Sequence, residues 1–526
     1  MKNRLVTVSV AVTTLFLLLM MKIININMSM ISQAARSQQT KTVEIGSSRG
    51  KIYDRNLRLI TDRENRLIAA VTPSPSAAEL PAVSLSKEEL LEKIESGKPF
   101  SLELKEEVNT ELVRTFSVPV RYSGSFACHI TGYLDKAETN GLSGVEKAYN
   151  TYLKENGGKL SVKFEVDAHG RALAGLDKTV VDNNFSSKAG VVLTIDSVIQ
   201  EITEAALEKS KIRSGAAIVM HIDTGEIYSL ASIPVFNRND VSENLSEDNS
   251  PLVNKALQSY SVGSVFKPLV AACALENAIS ESLVYNCKGK IKVGDTVFRC
   301  FEGTAHKKIN MTEALEKSCN CYFINLMEKI DRDYLLYICR LLGIESETEI
   351  AENICGTKGV LPSNDNLASA GERANLSFGQ GRLLMSPLHV LSVYHALATG
   401  NAVTPTIFYG YANSNGLVKT KENAVATKVF SDNTVLKMRK MLSSVVENGN
   451  ASNAKSEILS LAGKTGTAQS GIFEKGKEIC RTWFAGFYPS DNPHYIVVVL
   501  CENGSGGNTD CAGVFREICE EIALKK

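Results

Sequence analysis

The sequence predicts an α/β fold in which a sheet is packed between helices. Short apolar runs of strand length lie near both ends of the C-terminal two thirds of the chain, and residues 263–445 between them have helical spacing. Asp-Thr-Gly-Glu at 223–226 separates two of these runs, which is typical of a β-hairpin. A last helix pattern covers 514–523. Strands before and after a helical middle favour one sheet with helices on its faces. The predicted strands are 190–195, 216–221, 227–233, 482–488 and 495–500.

Length and composition exclude several classes of protein. A chain of 526 residues is long enough for roughly two to four domains with a large core. Lys and Arg number 58 and Asp and Glu number 58, and this neutral balance argues against a nucleic-acid-binding protein. With 44% hydrophobic and 22% charged residues the chain is globular rather than disordered. A mean hydropathy of −0.05 excludes a protein with many membrane spans.

The N-terminal segment is the one part of the sequence that resembles a membrane span. Leu5–Met21 contains no charged residue, and its 17 residues would extend about 26 Å as a helix. Lys2 and Arg4 precede it, so the positive-inside rule predicts a cytoplasmic N-terminus and an extracytoplasmic remainder. A cleaved signal peptide is the alternative, since Ser32–Ala34 loosely resembles a cleavage site. We expect an uncleaved single-pass anchor, because the apolar run is long and that site lies well beyond it.

The order of elements divides the chain into three predicted parts. Residues 1–25 are the cytoplasmic tip and transmembrane anchor. Residues 26–185 begin as a polar stalk and continue as a region of short mixed elements, among them a capped helix at 86–94. Residues 186–526 follow the polar linker 182–188 and contain the predicted sheet with its helices.

The first chemical motif is Ser-Val-Phe-Lys, with Ser264 and Lys267 at the opening of an apolar helix. Residues three apart share a helix face, and a neutral lysine amine in a buried site can accept a serine proton. Pro268 is tolerated in a first helical turn. The same spacing begins at Ser84 and Ser452, where a solvated helix face is the simpler explanation. The spacing alone is therefore weak evidence.

Two further motifs follow in the chain. Ser318-Cys319-Asn320 places a hydroxyl and an amide two residues apart, which suits a proton relay and the orientation of a substrate amide. The Lys-Thr-Gly-Thr segment at 464–467 contains the only Lys-Thr-Gly of the chain, and its glycine would let a substrate backbone approach a strand edge. Ser-x-Asn occurs elsewhere in the chain and the last motif also fits a simple turn, so neither is decisive alone.

Together and in this order, the three motifs resemble the penicillin-binding protein and serine β-lactamase superfamily. Residues 49–56 (RGKIYDRN) look like the juxtamembrane signature of class B penicillin-binding proteins. Residues 129–133 (HITGY) and 141–146 (GLSGVE) resemble the N-terminal pedestal of that class. Residues 377–381 (SFGQG) and 482–487 (TWFAGF) resemble further segments of its catalytic domain.

The resemblance implies a transpeptidase domain at 186–526, with a central antiparallel sheet flanked by helices, on a small mixed pedestal within 26–185. Such proteins are D,D-transpeptidases that cross-link peptidoglycan stem peptides through a serine acyl-enzyme, and β-lactams acylate them. The implied chemistry needs no metal or organic cofactor. Class B members carry no glycosyltransferase domain, so a SEDS-type glycosyltransferase is the expected partner. The short pedestal leaves the cellular role open among elongation, division and sporulation.

The resemblance also implies residue roles. Ser264 is the expected nucleophile and Lys267 its general base. Ser318 is expected to pass a proton to the leaving amine, while Asn320 holds the substrate amide. The backbone N–H groups of Ser264 and Thr467 are expected to bind the oxyanion. The expected substrate-binding residues are Lys464, Thr465, Gly466 and Thr467. We also expect burial and a nearby cation to lower the pKa of Lys267, while Lys464 stays charged to meet a carboxylate.

Two other functions use similar motifs. A β-lactamase would need an additional deacylating base, and a pedestal and anchor would serve no purpose in it. A non-enzymatic β-lactam sensor would have more membrane segments than this chain shows, and a divisome scaffold would tolerate loss of Ser264 or Lys464, yet every expected residue is present.

A group of potential metal ligands surrounds the second motif. Cys287, Cys300, His306 and Cys319 have the spacing C-x12-C-x5-H-x12-C. Residues 289–298 between the first two predict a hairpin, which would bring Cys287 and Cys300 together. Three thiolates and an imidazole are a competent tetrahedral zinc set. A structural zinc, a Cys287–Cys300 disulfide and unlinked thiols all remain open on the sequence alone.

Overall fold

The structure is a computed structural model, and it describes residues 2–28, 39–83, 85–173, 175, 178–245, 247–415, 418–420, 426–474 and 476–525. The described residues form two compact units. The N-terminal unit takes its residues from 1–50, 62–121 and 155–187, and the large unit takes the rest. The chain passes between the units several times. The sequence-based boundaries after residues 25 and 185 stay predictions.

The chain begins with a long apolar helix, Lys2–Met28. Within the described part of the chain it is the one helix long and apolar enough to cross a membrane, over residues 4–25. Its side chains from Leu5 to Asn25 are exposed, as expected of a segment whose partner would be lipid. The predicted helix is therefore present, and it is a candidate membrane span.

The rest of the N-terminal unit contains two three-stranded antiparallel sheets and a short helix. In one sheet Gly158–Glu165 lies between Thr40–Ser48 and Thr179–Asn183. The predicted capped helix is Lys87–Glu95, where Ser86 and Glu89 form a reciprocal capping box. In the second sheet the order is Phe100–Leu104, Glu64–Val71 and Val113–Val120.

The large unit is built on a five-stranded antiparallel sheet. Its strands are β1 (Gly215–His221), β2 (Ile227–Ile233), β3 (Ala462–Glu474), β4 (Lys477–Tyr488) and β5 (Tyr495–Gly504). Their spatial order in the sheet is β2-β1-β5-β4-β3. Every neighbouring pair is antiparallel. The predicted central antiparallel sheet is present, and the predicted hairpin is formed by β1 and β2.

Helices cover the sheet because its strands have no polar face. Residues 215–220 of β1 and 496–501 of β5 are buried without alternation, which requires cover on both sides. Ser197–Lys209 and Ala512–Lys525 pack against each other and on the sheet. A second group, Lys267–Glu276, Pro387–Thr399 and Asp432–Glu447, packs together and also contacts the sheet. The helices from residue 122 onward are Cys128–Thr131, Gly144–Ala148, Asn150–Glu155, Ser197–Lys209, Lys267–Glu276, Met311–Glu316, Asn320–Met327, Arg332–Leu341, Ala370–Ser377, Pro387–Thr399, Asp432–Glu447, Gly507–Asp510 and Ala512–Lys525.

The large unit also contains smaller sheets outside the five-stranded sheet. The predicted strand 190–195 forms as Gly190–Leu193, outside the five-stranded sheet. It joins Lys51–Tyr53, Phe408–Ala412 and Val418–Thr420 in a separate four-stranded sheet. The two-stranded pairs are Tyr285–Cys287 with Lys307–Ile309, Lys290–Val293 with Thr296–Arg299, Thr348–Ala351 with Ile354–Gly356, and Asn401–Ala402 with Thr427–Lys428.

Candidate active site

Ser264 lies on a 3-10 turn, Gly263–Phe266, that leads directly into the helix Lys267–Glu276. Pro268 occupies the first turn of that helix, where its missing N–H costs nothing. Ser264 is partly exposed, whereas Lys267 one turn later is fully buried. The predicted helix start is therefore correct, and the serine hydroxyl is accessible while the lysine is not.

Lys267 joins the first two motifs. Its Nζ donates hydrogen bonds to the Ser318 carbonyl oxygen at 2.8 Å, to Ser318 Oγ at 3.1 Å and to Asn320 Oδ1 at 2.7 Å. Ser318 has a φ of 51°, an uncommon left-handed conformation for a residue with a side chain. That conformation turns both its carbonyl and its hydroxyl towards the same amine, so the ammonium head is held by three acceptors from one short segment.

The Asn320 amide is fixed at both ends. Its oxygen accepts from Lys267, and its Nδ2 donates to the Arg299 carbonyl oxygen at 3.0 Å. Arg299 ends the second strand of the hairpin at 290–299. The hairpin predicted from the cysteine-rich segment therefore supports the second motif directly.

The third motif lies on β3, the outer strand of the sheet. Lys464 is fully buried, and its Nζ donates to the Thr465 carbonyl oxygen at 3.2 Å and to Thr465 Oγ1 at 3.3 Å. A Cβ atom on Gly466 would come within 2.8 Å of the Val262 carbonyl oxygen, so only glycine lets β3 approach the Ser264 turn this closely. The third motif is thus next to the first, as the sequence predicts.

Both lysines have lowered pKa values. Burial lowers the pKa of Lys267 to about 8. Burial, followed by the charge of Lys267, lowers the pKa of Lys464 well below its ordinary value. The lowered pKa expected for Lys267 is confirmed with burial as its cause, but the expected nearby cation does not contribute to it. The positive charge expected on Lys464 stays a prediction. Nothing in the sequence indicated that the Lys464 side chain is fully buried and lies near a second cation, Lys267.

Of the other two Ser-x-x-Lys sequences, the structure describes the serine of only one, Ser452. Ser452 starts a 3-10 turn at 452–454 and is exposed, and its hydroxyl accepts a hydrogen bond from Asn508 at 3.4 Å. Lys455 forms a surface ion pair with Glu447 at 2.7 Å. The side chains of Ser452 and Lys455 therefore have partners other than Lys267. Ser84 lies outside the described residues.

Two contacts of the site were not evident from the sequence. The Gly263 N–H donates to the Gly379 carbonyl oxygen at 2.9 Å, so the segment 377–381 holds the turn that carries Ser264. Trp483 Nε1 donates to the Ser261 carbonyl oxygen at 3.0 Å from β4. Residues 377–381 and 482–487 both resemble family segments, but their spacing in the sequence did not indicate which backbone groups they would contact.

Gly263 offers a direct test of this packing. It has a φ of 60°, and a Cβ atom would lie 2.6 Å from the Thr467 carbonyl oxygen. We expect Gly263→Ala to slow acylation by a penicillin about a hundredfold, because the Ser264 turn must move away from β3. Gly343→Ala is the matched control, since Gly343 also has a positive φ of 80° but no atom within 4 Å of its Cβ position. Equal acylation rates in the two variants would contradict the predicted effect of the clash.

Comparison with known proteins decides the family. The sequence model described as "Penicillin binding protein transpeptidase domain" matches residues 215–520, more than half of the chain. The protein belongs to the penicillin-binding protein transpeptidase family. The three motifs, the five-stranded sheet and the helices on it all lie within or beside the matched region. The predicted family, fold class and enzyme class are confirmed.

Curated relatives place this penicillin-binding protein among enzymes of cell-wall synthesis. Stage V sporulation protein D of Bacillus subtilis is 28% identical over 94% of this chain and 81% of its own length. The peptidoglycan D,D-transpeptidase MrdA of Acinetobacter baumannii is 28% identical over 73% of this chain and 63% of its own length. FtsI of Buchnera aphidicola, also named a peptidoglycan D,D-transpeptidase, is 27% identical over 77% of this chain and 69% of its own length.

Solved structures show the same fold. Penicillin-binding protein 3 of Mycobacterium tuberculosis, in complex with aztreonam, superposes with a TM-score of 0.66 at 22% identity, over 92% of this chain and 97% of that chain. A complex of penicillin-binding protein 2 with MreC from Helicobacter pylori gives a TM-score of 0.65 at 23% identity, over 92% of this chain and 98% of that chain.

The penicillin-binding domain also contains the cysteine and histidine group noted in the sequence. Cys287 Sγ is 3.7 Å from Cys300 Sγ and 3.5 Å from His306 Nδ1, and Cys300 Sγ is 3.6 Å from Cys319 Sγ. The ligand atoms of the four residues all lie within 4.8 Å of one another. Cys321, which sequence reasoning missed, brings its Sγ to 3.5 Å from that of Cys300. All four predicted side chains therefore point at one centre.

Proposed function

We propose that this transpeptidase cross-links peptidoglycan stem peptides through an acyl-enzyme on Ser264. Ser264 Oγ attacks the carbonyl carbon of the terminal D-Ala-D-Ala bond while its proton passes to Lys267 Nζ. The contact of Lys267 with both Ser318 and Asn320 is the observation that supports this most. A lysine with a pKa lowered to about 8 is a competent proton acceptor near neutral pH.

The second motif would complete the first half of the reaction. Ser318 Oγ is within hydrogen-bond distance of Lys267 Nζ, so a proton can return through it to the amine of the leaving D-alanine. Asn320 holds the substrate amide. The backbone N–H groups of Ser264 and Thr467 stabilise the tetrahedral oxyanion, a contribution of about 3 kcal/mol per donor. Lys464 and Thr465 bind the terminal carboxylate. An amine of a neighbouring stem peptide then attacks the ester and releases Ser264.

The proposed reaction is tested with two synthetic peptides. The purified full chain is incubated with a donor peptide ending in D-Ala-D-Ala and an acceptor peptide with a free amine. We expect a cross-linked product, release of one D-alanine per product and a covalent adduct on the tryptic peptide that contains Ser264, all detected by mass spectrometry. Rapid release of acid without a cross-linked product would favour a hydrolase such as a β-lactamase instead. An adduct on another residue would overturn the assignment of the nucleophile.

The N-terminal helix supports a further proposal on location and partner. Lys2 and Arg4 precede the apolar span, so we place the N-terminus in the cytoplasm and the catalytic domain outside the membrane. A SEDS-type glycosyltransferase that recognises the anchor and pedestal is the proposed source of the glycan strands. A reporter fused after residue 526 that is active only outside the membrane tests the orientation, and co-purification with such a glycosyltransferase tests the partner.

We further propose that Cys287, Cys300, His306 and Cys319 bind one structural zinc ion. Zinc–sulfur bonds of about 2.3 Å in a tetrahedron place neighbouring ligand atoms about 3.8 Å apart. The observed separations of 3.7, 3.6 and 3.5 Å are close to this value. Backbone N–H groups of Gly289 and Tyr322 also donate to the sulfurs of Cys287 and Cys319, as around metal-bound thiolates. Such a site would hold the segment between Ser318 and Asn320 in place.

Metal content tests the zinc proposal. Full-length protein purified without chelators is expected to contain about one zinc per chain by elemental mass spectrometry. Cys287→Ser and His306→Ala are expected to lose at least about nine tenths of it, because each removes one of four ligands. Cys355→Ser, a partly exposed cysteine outside the group, should retain it. A mass 2 Da below that of the reduced chain without zinc would indicate a disulfide, and alkylation of all three thiols of Cys287, Cys300 and Cys319 without zinc would indicate unlinked cysteines.

A further inference from the structure

A short hydrogen-bonded relay leads from Lys464 out of the protein interior. Lys464 Nζ donates to Thr465 Oγ1 at 3.3 Å, and Thr465 Oγ1 donates to Asn450 Oδ1 at 3.4 Å. Lys464 is fully buried and Thr465 is 7% exposed, whereas Asn450 is exposed. Asn450 is therefore the outer end of a chain of polar groups that starts at the third motif.

The backbone of Asn450 is fixed by the segment that precedes the second motif. Its N–H donates to the Glu316 carbonyl oxygen at 3.0 Å. A Cβ atom on Gly449 would lie 2.8 Å from Glu316 Cα, so glycine allows this close approach. The Glu316 carboxylate in turn accepts from the Ser444 hydroxyl of the helix Asp432–Glu447. Asn450 is thus positioned by Glu316 and aimed at Thr465, between the second and third motifs.

The amide of Asn450 lies beside the Thr465 hydroxyl and keeps its two N–H donors. Its oxygen accepts from Thr465, which leaves Nδ2 with two N–H groups and no hydrogen-bond partner among the described residues. When the single hydrogen of the Thr465 hydroxyl turns to an anion, the Asn450 oxygen loses its bond, and rotation of the amide can bring the Nδ2 hydrogens to the same anion.

We propose that Asn450 is a substrate-binding residue whose side-chain amide donates a hydrogen bond to the terminal carboxylate of the D-alanyl peptide or of a β-lactam. The inference rests on the proposed function only in placing that carboxylate beside Thr465. Asn450 lies in none of the three motifs, and its contact with Thr465 spans fifteen residues of sequence.

Non-covalent affinity in a Ser264→Ala background separates this inference from the proposed acyl-transfer reaction. The full chain in detergent is titrated with a penicillin as free acid and as its methyl ester, and Kd is measured by ligand-observed NMR. Asn450→Ala is expected to raise Kd for the free acid about tenfold. Asn450→Asp is expected to raise it more, about fiftyfold, because a second carboxylate repels the first. The ester, which lacks the charge, should bind all variants within about twofold.

The alanine variant distinguishes binding from a structural role. If Asn450 served only to accept a hydrogen bond from Thr465, its replacement by alanine would change the affinities for acid and ester alike, and wild-type affinity of Asn450→Ala for the free acid would overturn the proposal. Equal losses for acid and ester would overturn it too. Asn448→Ala is the control, since Asn448 is exposed in the same segment and donates to Ser444 instead. A chain that binds as expected but forms no adduct with intact Ser264 would contradict the acyl-transfer proposal and leave the Asn450 inference supported.

Discussion

The Ser264→Ala variant is expected to lose covalent labelling by a fluorescent penicillin completely, while its thermal unfolding midpoint stays within about 2 °C of wild type. The hydroxyl is the atom that would form the ester, so no slower route to the same adduct remains. The 3-10 turn itself depends on Gly263, Val265 and Phe266, which are buried and unchanged in this variant. Gel fluorescence and a thermal melt measure the two quantities on the same sample.

Ser452→Ala is the matched control for this experiment. Ser452 has the same spacing to a lysine as Ser264, yet it lies exposed with Asn508 as its partner. Its replacement should leave labelling within about twofold of wild type. Labelling of Ser264→Ala at the wild-type rate would show that another residue is acylated, and the assignment of the nucleophile would then be abandoned.

Replacing Lys267 with Met is expected to slow acylation by about a thousandfold. The variant loses the proposed proton acceptor, and general-base groups contribute about a hundredfold to ten-thousandfold to such steps. It also removes three hydrogen bonds to Ser318 and Asn320, so Ser318 loses contacts that support its positive φ. Methionine has a similar length and is apolar, so it can fill the same fully buried space.

The acylation rate is measured as a function of penicillin concentration, together with the melting temperature. Lys317→Ala is the control, because Lys317 is exposed and directly precedes Ser318. Its rate should stay within about twofold of wild type. A Lys267→Met rate within tenfold of wild type would mean that another group accepts the proton, and the proposed role of Lys267 would be wrong.

Local features of the site were predictable from sequence, and long-range ones were not. The helix start at Lys267 follows from an apolar run with proline in its first turn. The contact of Lys267 with Ser318 crosses 51 residues of sequence, and only the joint order of the motifs indicated it. The positive φ of Ser318 has no sequence signal, since serine rarely adopts it. The contact of Asn450 with Thr465 is evident only from the three-dimensional fold.

The same limit applies to the sheet. Periodicity identified a strand at Gly190–Leu193 correctly, yet that strand pairs with Lys51–Tyr53 and Phe408–Ala412 rather than with the five-stranded sheet. The choice of partner depends on chain path, which apolar patterns do not encode. Burial of Lys464 escaped prediction for a related reason. Alternate side chains of a strand lie on opposite faces of the sheet, but the sequence does not indicate which face other elements cover.

The glycines around the Ser264 turn restrict how this protein could evolve drug resistance. Added Cβ atoms at Gly379 and Gly263 would lie 2.1 Å and 2.6 Å from backbone carbonyl oxygens, and one at Gly466 would lie 2.8 Å from another. Because backbone cannot yield as a flexible side chain does, clinical or laboratory selection with β-lactams should leave these three codons unchanged. Substitutions should be tolerated instead where side chains are exposed, as at Ile472 and Phe473 near the end of the β3–β4 hairpin, which are 50% and 66% accessible.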